Sequence, residues 1–213
     1  MSMQQSLDAS DHARIAEAIR SAEEKTSGEI YAVLARRSDD YFYAAGFVAA
    51  CGIIIAAIIV ALLAHWYWFD VSLPVFGLAI LAAFVSVVLV LWLAPAVRMV
   101  LVPHRIRYRR AHLNAVQQFL ARNIHVTSQR TGVLLFVSLA EHYAEVIADA
   151  GINAKVEQEE WNGIVAILTH HASRAEVADG FVAAIEKSGD LLARHFPPVA
   201  DQVNELNDHL VEL

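Results

Sequence analysis

Ala44 to Ala64 reads AAGFVAACGIIIAAIIVALLA, and Val71 to Ala94 reads VSLPVFGLAILAAFVSVVLVLWLA. Neither stretch contains a charged residue. Each is long enough for the roughly 20 apolar residues that cross the hydrocarbon core of a bilayer. Between Asp40 and Arg98 the one formally charged side chain is Asp70, in the short connection between the two runs. The pair therefore reads as a transmembrane hairpin occupying residues 41–97. Polar, periodically patterned sequence lies on both sides, so the hairpin interrupts another structure.

Basic residues next to the spans set their orientation. Arg36 and Arg37 precede the first span, and Arg98, Arg105, Arg107, Arg109 and Arg110 follow the second. The connecting loop His65–Asp70 has no Lys or Arg. Both flanks, and hence both termini, are expected on the cytoplasmic side of the cell (inner) membrane. The seven arginines form a membrane-surface basic set, each contributing about 1 kcal/mol beside an anionic leaflet. Trp66, Tyr67 and Trp68 suit an interfacial aromatic belt on the far side, and Tyr41, Tyr43 and Trp92 one on the near side. The first span starts some 40 residues in, behind an acid-containing amphipathic segment, which is not the pattern of a cleavable signal peptide.

The interior of the hairpin favours an anchor over a conduction path, because ion and proton routes carry ionisable groups at membrane depth. Ala45, Ala49, Gly52 and Ala56 share one helical face, and small residues at this spacing let helices approach closely in lipid. Their partner is either the second span, another protein's helix or a second copy. Cys51, the one cysteine, cannot form a disulfide within the chain and reads as a packing residue. Pro74 falls in the first turn of the second span, and Pro95 marks its end or a kink.

Net charge is -7, but it is unevenly placed. Residues 98–110 carry five Arg and no acid, whereas residues 111–213 carry 6 Lys/Arg against 14 Asp/Glu. An acid-rich C-terminal part excludes a nucleic-acid footprint. The basic stretch suits a membrane surface instead.

Outside the hairpin, the spacing of Ile15, Ala16, Ala18, Ile19 and Ala22 predicts a helix over Asp11–Lys25, capped by Ser10 or Asp11 and stopped at Ser27-Gly28. Glu29–Ala35 reads as a strand. Arg105–Asn123 is a second helix with Leu113, Val116, Phe119 and Leu120 as its apolar stripe. Gly132–Ser138 is an unbroken apolar run of strand length, expected to be central and covered on both faces. Tyr143–Asp149 is a third strand. Glu157–Leu168 is a helix burying Trp161, Ile164, Val165 and Leu168. Ala175–Phe196 is another, with a break expected at Ser188-Gly189, and Asp201–Leu210 is a last short helix. Residues 1–40 hold too few strands for a sheet, so they and residues 98–213 are expected to assemble one α/β domain across the insertion.

The order and spacing of four pieces carry a family resemblance: Ala16-Glu-Ala-Ile19 through Glu24-Lys-Thr-Ser-Gly-Glu-Ile30, then Thr131–Ser138, then Ile147-Ala-Asp-Ala-Gly-Ile152, then Trp161 with its helix. Together they resemble the TPM-domain family. The resemblance implies a small central sheet flanked by helices, in a TPM-like fold here split by the inserted hairpin. It also implies membrane attachment, a role in assembling or supporting membrane complexes, and in bacteria companionship with LemA-type membrane proteins. Phosphatase activity and calcium binding are ascribed to some members.

No phosphate-binding glycine loop, zinc-type Cys/His spacing or nucleophile elbow is present. His170 and His171 are adjacent, diverge on a helix and cannot readily share a metal. Asp39 and Asp40 follow the first strand, and Asp149 follows the third. Carboxylates at neighbouring strand ends can converge on calcium or magnesium, and Asp149 matches the family's acidic turn. The alternative for Asp149 is an ordinary turn aspartate. Ser138 could act as a nucleophile only beside a base, with Glu141 and His142 the nearest in sequence. The leading expectation is a non-enzymatic, membrane-anchored interaction or assembly module with a membrane-protein partner or itself as partner. The alternative is a metal-dependent phosphatase or hydrolase of the TPM type.

Overall fold

The computed structural model describes residues 7–127, 130–199 and 206–213. The chain divides into two compact units, one of Met1–Ser38 with Tyr108–Leu213 and one of Asp39–Arg107. In chain order the elements are helix α1 (Ala9–Glu23), strand β1 (Glu29–Ala35), α2 (Phe42–Trp66), α3 (Leu73–Leu93), α4 (Pro95–Leu101) and α5 (His104–Ala121). A 3-10 turn (Ile124–Val126) follows, then β2 (Gly132–Ser138), β3 (Tyr143–Ala148), α6 (Ala150–Asn153), α7 (Gln158–Ser173), α8 (Val177–His195) and β4 (Val211–Glu212). The fold is α/β, with a small mixed sheet flanked by helices.

The sheet belongs to the first unit and has the order β3-β2-β1-β4. β1 and β2 are parallel, in register from Glu29 opposite Gly132 to Ala35 opposite Ser138. β4 adds to β1 in parallel, and β3 returns antiparallel on β2. Every residue of β1 and β2 is buried. Their alternate side chains go to two different layers, which is why an apolar run without polar alternation works here. Ile30, Ala32 and Leu34 with Val133, Leu135 and Val137 join the larger core under α1, α7 and α8. Tyr31, Val33, Leu134 and Phe136 face Ala115 and Phe119 of α5 and Ile124. Parallel neighbours require a crossover connection rather than a tight turn. Here the crossover helix is α5, and the apolar hairpin is inserted in the same connection.

Several expectations are corrected. Asp8, not Ser10 or Asp11, caps α1, in a reciprocal capping box with Asp11. α8 runs unbroken through Ser188-Gly189: the Ser188 hydroxyl donates to the Ala184 carbonyl at 2.7 Å. Gly189 is a close-approach point, where a Cβ would lie 2.6 Å from that of Ala22 on α1. The buried residues of α5 are Ala111, Ala115 and Phe119. Ala115 and Phe119 pack against the sheet, and Leu113 and Leu120 are left exposed. β4 has no counterpart in the sequence reading. Of the helix expected over Asp201–Leu210, residues 201–205 lie outside the described residues, and 206–210 are not helical.

In the second unit, α2 and α3 are long and apolar enough to cross a membrane. Almost none of their surface is buried: Ala45 is the one buried residue of α2 and Leu91 that of α3. Core helices of a soluble protein bury such side chains, so these two are not core helices. Pro74 sits in the first turn of α3, and Pro95 opens α4 after α3 ends. Ala45 and Ala49 pack within the hairpin, whereas Gly52 and Ala56 are exposed, with open space around Gly52. The four-residue small face is thus split. Deeper along the hairpin, Ala50 and Ile53 of α2 and Gly77, Ile80 and Phe84 of α3 line an open apolar gap between the two helices.

Candidate functional site

Each sequence-predicted site residue has a definite position. Asp40 and Arg98 form an ion pair at the feet of the hairpin. Arg98 folds back from α4 onto the end of α3. Its Nε donates to the Leu91 carbonyl at 2.7 Å and its Nη2 to the Trp92 carbonyl at 3.3 Å. Its guanidinium also lies 5.2 Å from the Phe42 ring centroid. Carbonyls at a helix C-terminus lack intrahelical donors and carry partial negative charge, so an arginine there is stabilising. Arg98, 7% exposed, is therefore an internal clasp rather than a headgroup-facing residue. Asp39 Oδ1 accepts from the Tyr41 N–H at 3.4 Å, across a turn in which Tyr41 takes a positive φ of 58°.

Asp149 sits at the other end of the sheet. Its N–H donates to the Gly132 carbonyl at 2.9 Å, and its Oδ1 caps α6 by accepting from Ala150 N–H at 2.6 Å. Gly132 is opposite Glu29, where β1 begins, while the chain leaves for Asp39 beyond Ala35, where β1 ends. A seven-residue strand rises about 20 Å between those ends. Asp149 therefore lies at the end of the sheet opposite to the one from which the chain leaves towards Asp39 and Asp40. Through Oδ1 Asp149 acts as a turn aspartate, and its Oδ2 is buried without a hydrogen bond among the described residues. Among the described residues, no group of three or more His, Cys, Asp or Glu is arranged to hold a metal.

The C-terminal ends of β1 and β2 carry a buried polar latch. Ser138 Oγ donates to Glu141 Oε2. Ser38 Oγ lies 2.8 Å from Ser138 Oγ, and Ser38 N–H donates to Glu141 Oε1 at 3.1 Å. Of the two candidate bases, the one hydrogen-bonded to Ser138 is Glu141. Ser138 and Glu141 are essentially inaccessible, at 0% and 1% exposure, so no substrate reaches the hydroxyl. The cluster holds the strand ends together where the chain departs for the hairpin.

Two arrangements escape sequence reading. His112 of α5 meets Glu145 of β3 at 2.9 Å, and the Tyr143 hydroxyl donates to the same carboxylate at 2.9 Å. Burial first, and then the Glu145 charge, hold the Tyr143 phenol well above its ordinary pKa. Tyr108 completes this tether, donating to the His142 carbonyl at 3.3 Å and packing edge-on to Tyr143. The partners His112 and Glu145 stand 33 residues apart with no shared motif, so only the fold reveals them. The second arrangement concerns Glu23. Its Oε1 accepts from Ile30 N–H at 2.8 Å. Glu29 N–H bonds Thr131 towards β2, so the next N–H points the other way, where β4 pairs only from Val33 onwards. The Glu23 carboxyl serves the edge that β4 is too short to reach. Burial, helped by the charges of Glu29 and Asp208, pushes its pKa up to about 8.

Of the remaining arginines, Arg36 pairs with Glu212 of β4 at 3.3 Å, while Arg37, Arg105, Arg109 and Arg110 are exposed. Arg107 is partly buried, its Nε without a hydrogen bond among the described residues.

No family model and no curated protein matches the chain. Among solved structures it is similar to the NMR structure of the BA42 protein from the psychrophilic bacterium Bizionia argentinensis. The TM-score is 0.61 at 19% identity, over 100% of this chain and 99% of the other. At that identity the likeness shows the fold alone: an α/β arrangement that this bacterial protein shares.

Proposed function

We propose that this chain is a membrane-anchored, TPM-like interaction or assembly module, without enzymatic activity, working at the cytoplasmic face of the inner membrane. One observation carries the reading: two almost fully exposed apolar helices are inserted in the β1–β2 crossover of an α/β domain. A domain tethered through both ends of an internal insertion stays at the bilayer, and its exposed helical faces remain open to another membrane protein or a second copy. Arginines on both flanks and none in the loop support cytoplasmic termini. The burial of Ser138, and the position of Asp149 at the end of the sheet opposite to the one from which the chain leaves towards Asp39 and Asp40, favour binding over hydrolysis.

The test is brief crosslinking in native membranes followed by purification in mild detergent. The expected result is a reproducible, stoichiometric membrane-protein partner or a defined oligomer of this chain. Phosphoester turnover by the purified protein, abolished by a single substitution in the α/β domain, overturns the reading. A reporter fused after Leu213 should be active in the cytoplasm; activity on the far side refutes the orientation.

A further inference from the structure

The face of α5 turned away from the sheet has the composition of a lipid-binding surface. From Tyr108 on, α5 buries Ala111, Ala115 and Phe119, the last two against β1 and β2. At about 100° per residue, Arg109, Arg110, Leu113, Val116 and Leu120 fall on the opposite arc. Leu113 is 43% exposed and Leu120 52%, and the two arginines are exposed beside them. Val126, in the turn that follows, is 61% exposed. Large apolar side chains interleaved with arginines make a helix that lies in an interface plane.

Charge selects the occupant. Within the α/β unit, Tyr108 to Ala140 holds four arginines and no Asp or Glu, and the one acid described above against α5 is Glu145 of β3. On the other side of the sheet, α1, α7 and α8 together carry eight acids against four Lys/Arg. The α/β unit is thus polarised across its sheet, basic on the α5 side, and an anionic surface attracts that side and repels the other. Only ten residues separate Leu93, the last of α3, from His104, so α5 begins within a short reach of the apolar segment. A second copy fits less well: a two-fold interface across this face sets Arg109 and Arg110 against their own counterparts.

We infer that the outer face of α5 docks the α/β unit onto the headgroup layer of an anionic bilayer, with Leu113 and Leu120 inserted and Arg109 and Arg110 on lipid phosphates. This rests on the membrane-anchored reading and adds which face of the domain meets the lipid.

The test uses the full chain with Cys51→Ser, reconstituted in phosphatidylcholine vesicles with or without one-third phosphatidylglycerol. Single cysteines replace Leu113 or Leu120, with exposed Asn162 of α7 and Glu186 of α8 as controls. Each carries an environment-sensitive fluorophore, and brominated lipid is the quencher. Expected is quenching at 113 and 120 at least about threefold above the controls in phosphatidylglycerol vesicles, lost on adding Arg109→Glu with Arg110→Glu. Equal, water-like emission at all four positions overturns the inference. If the protein then still resists carbonate extraction, the anchor stands and only the docking fails; if it is extracted, the anchor reading has failed first. Shielding at 113 and 120 that follows protein density and ignores lipid charge assigns the face to a second copy and also overturns the inference.

Discussion

Replacing Glu23 by glutamine should change how stability depends on pH. Unfolded, the Glu23 carboxyl ionises near its ordinary value of 4.5; folded, burial holds the proton until about pH 8. A carboxyl whose folded pKa is raised contributes fully to stability below pH 4.5. That contribution falls as pH climbs from 4.5 to about 8 and is constant above. At about 1.36 kcal/mol per pKa unit, the window amounts to on the order of 4 kcal/mol. The glutamine side chain keeps an acceptor for the Ile30 N–H and has no proton to lose. The stability of Glu23→Gln relative to the parent should therefore rise by about 3–4 kcal/mol between roughly pH 5 and pH 8.5. Urea unfolding in mild detergent can follow this through Trp161. It is 3% exposed and becomes the single tryptophan once Trp66, Trp68 and Trp92 are changed to Phe. A difference that stays flat across the window refutes the claim that burial holds this proton.

Gly132→Ala places a Cβ 2.3 Å from the Ile124 carbonyl oxygen and 2.7 Å from its Cγ2. Because the obstacle is backbone, the urea midpoint should fall by the equivalent of about 3 kcal/mol or more. Asp8→Ala removes the capping box of α1 and should cost about 1 kcal/mol, with faster amide exchange confined to the first turn of that helix. Glu141→Ala strips the Ser138 hydroxyl and Ser38 N–H of their buried acceptor. A loss of about 2–3 kcal/mol is expected by the same melt, and most of it should be recovered in Glu141→Gln.

The elements that sequence reading locates well share one property: their pattern is dictated locally. The two apolar runs form α2 and α3, and the unbroken Gly132–Ser138 run forms a strand covered on both faces. Sequence reading fails where a distant partner decides. Gly189 has the look of a helix breaker because Ala22, whose contact requires the missing side chain, lies far away in the chain. Leu113 and Leu120 have the look of core because leucines at helical spacing usually are, yet the side of α5 that packs on the sheet is the one that carries Ala115 and Phe119. Arg98 reads as one more flanking cation, although the carbonyls of Leu91 and Trp92 and the carboxylate of Asp40 enclose it. Asp149 follows a strand as Ser38 does, but the antiparallel return of β3 puts it at the end of the sheet where β1 begins, whereas Ser38 lies where β1 ends. β4 is two residues long, too short to have a period.

The insertion of the hairpin between β1 and β2 also fixes an order of events during synthesis. The 96 residues that separate Ala35 from Gly132 take a ribosome about 5–20 s to translate. Throughout that interval β1, whose every side chain ends up buried, has left the ribosome without its main partner. Both apolar helices emerge within the same interval and can pass to the insertion machinery first. On the membrane-anchored reading proposed above, the sheet then closes on a nascent chain already held at a bilayer, where an unpaired apolar strand meets few copies of itself.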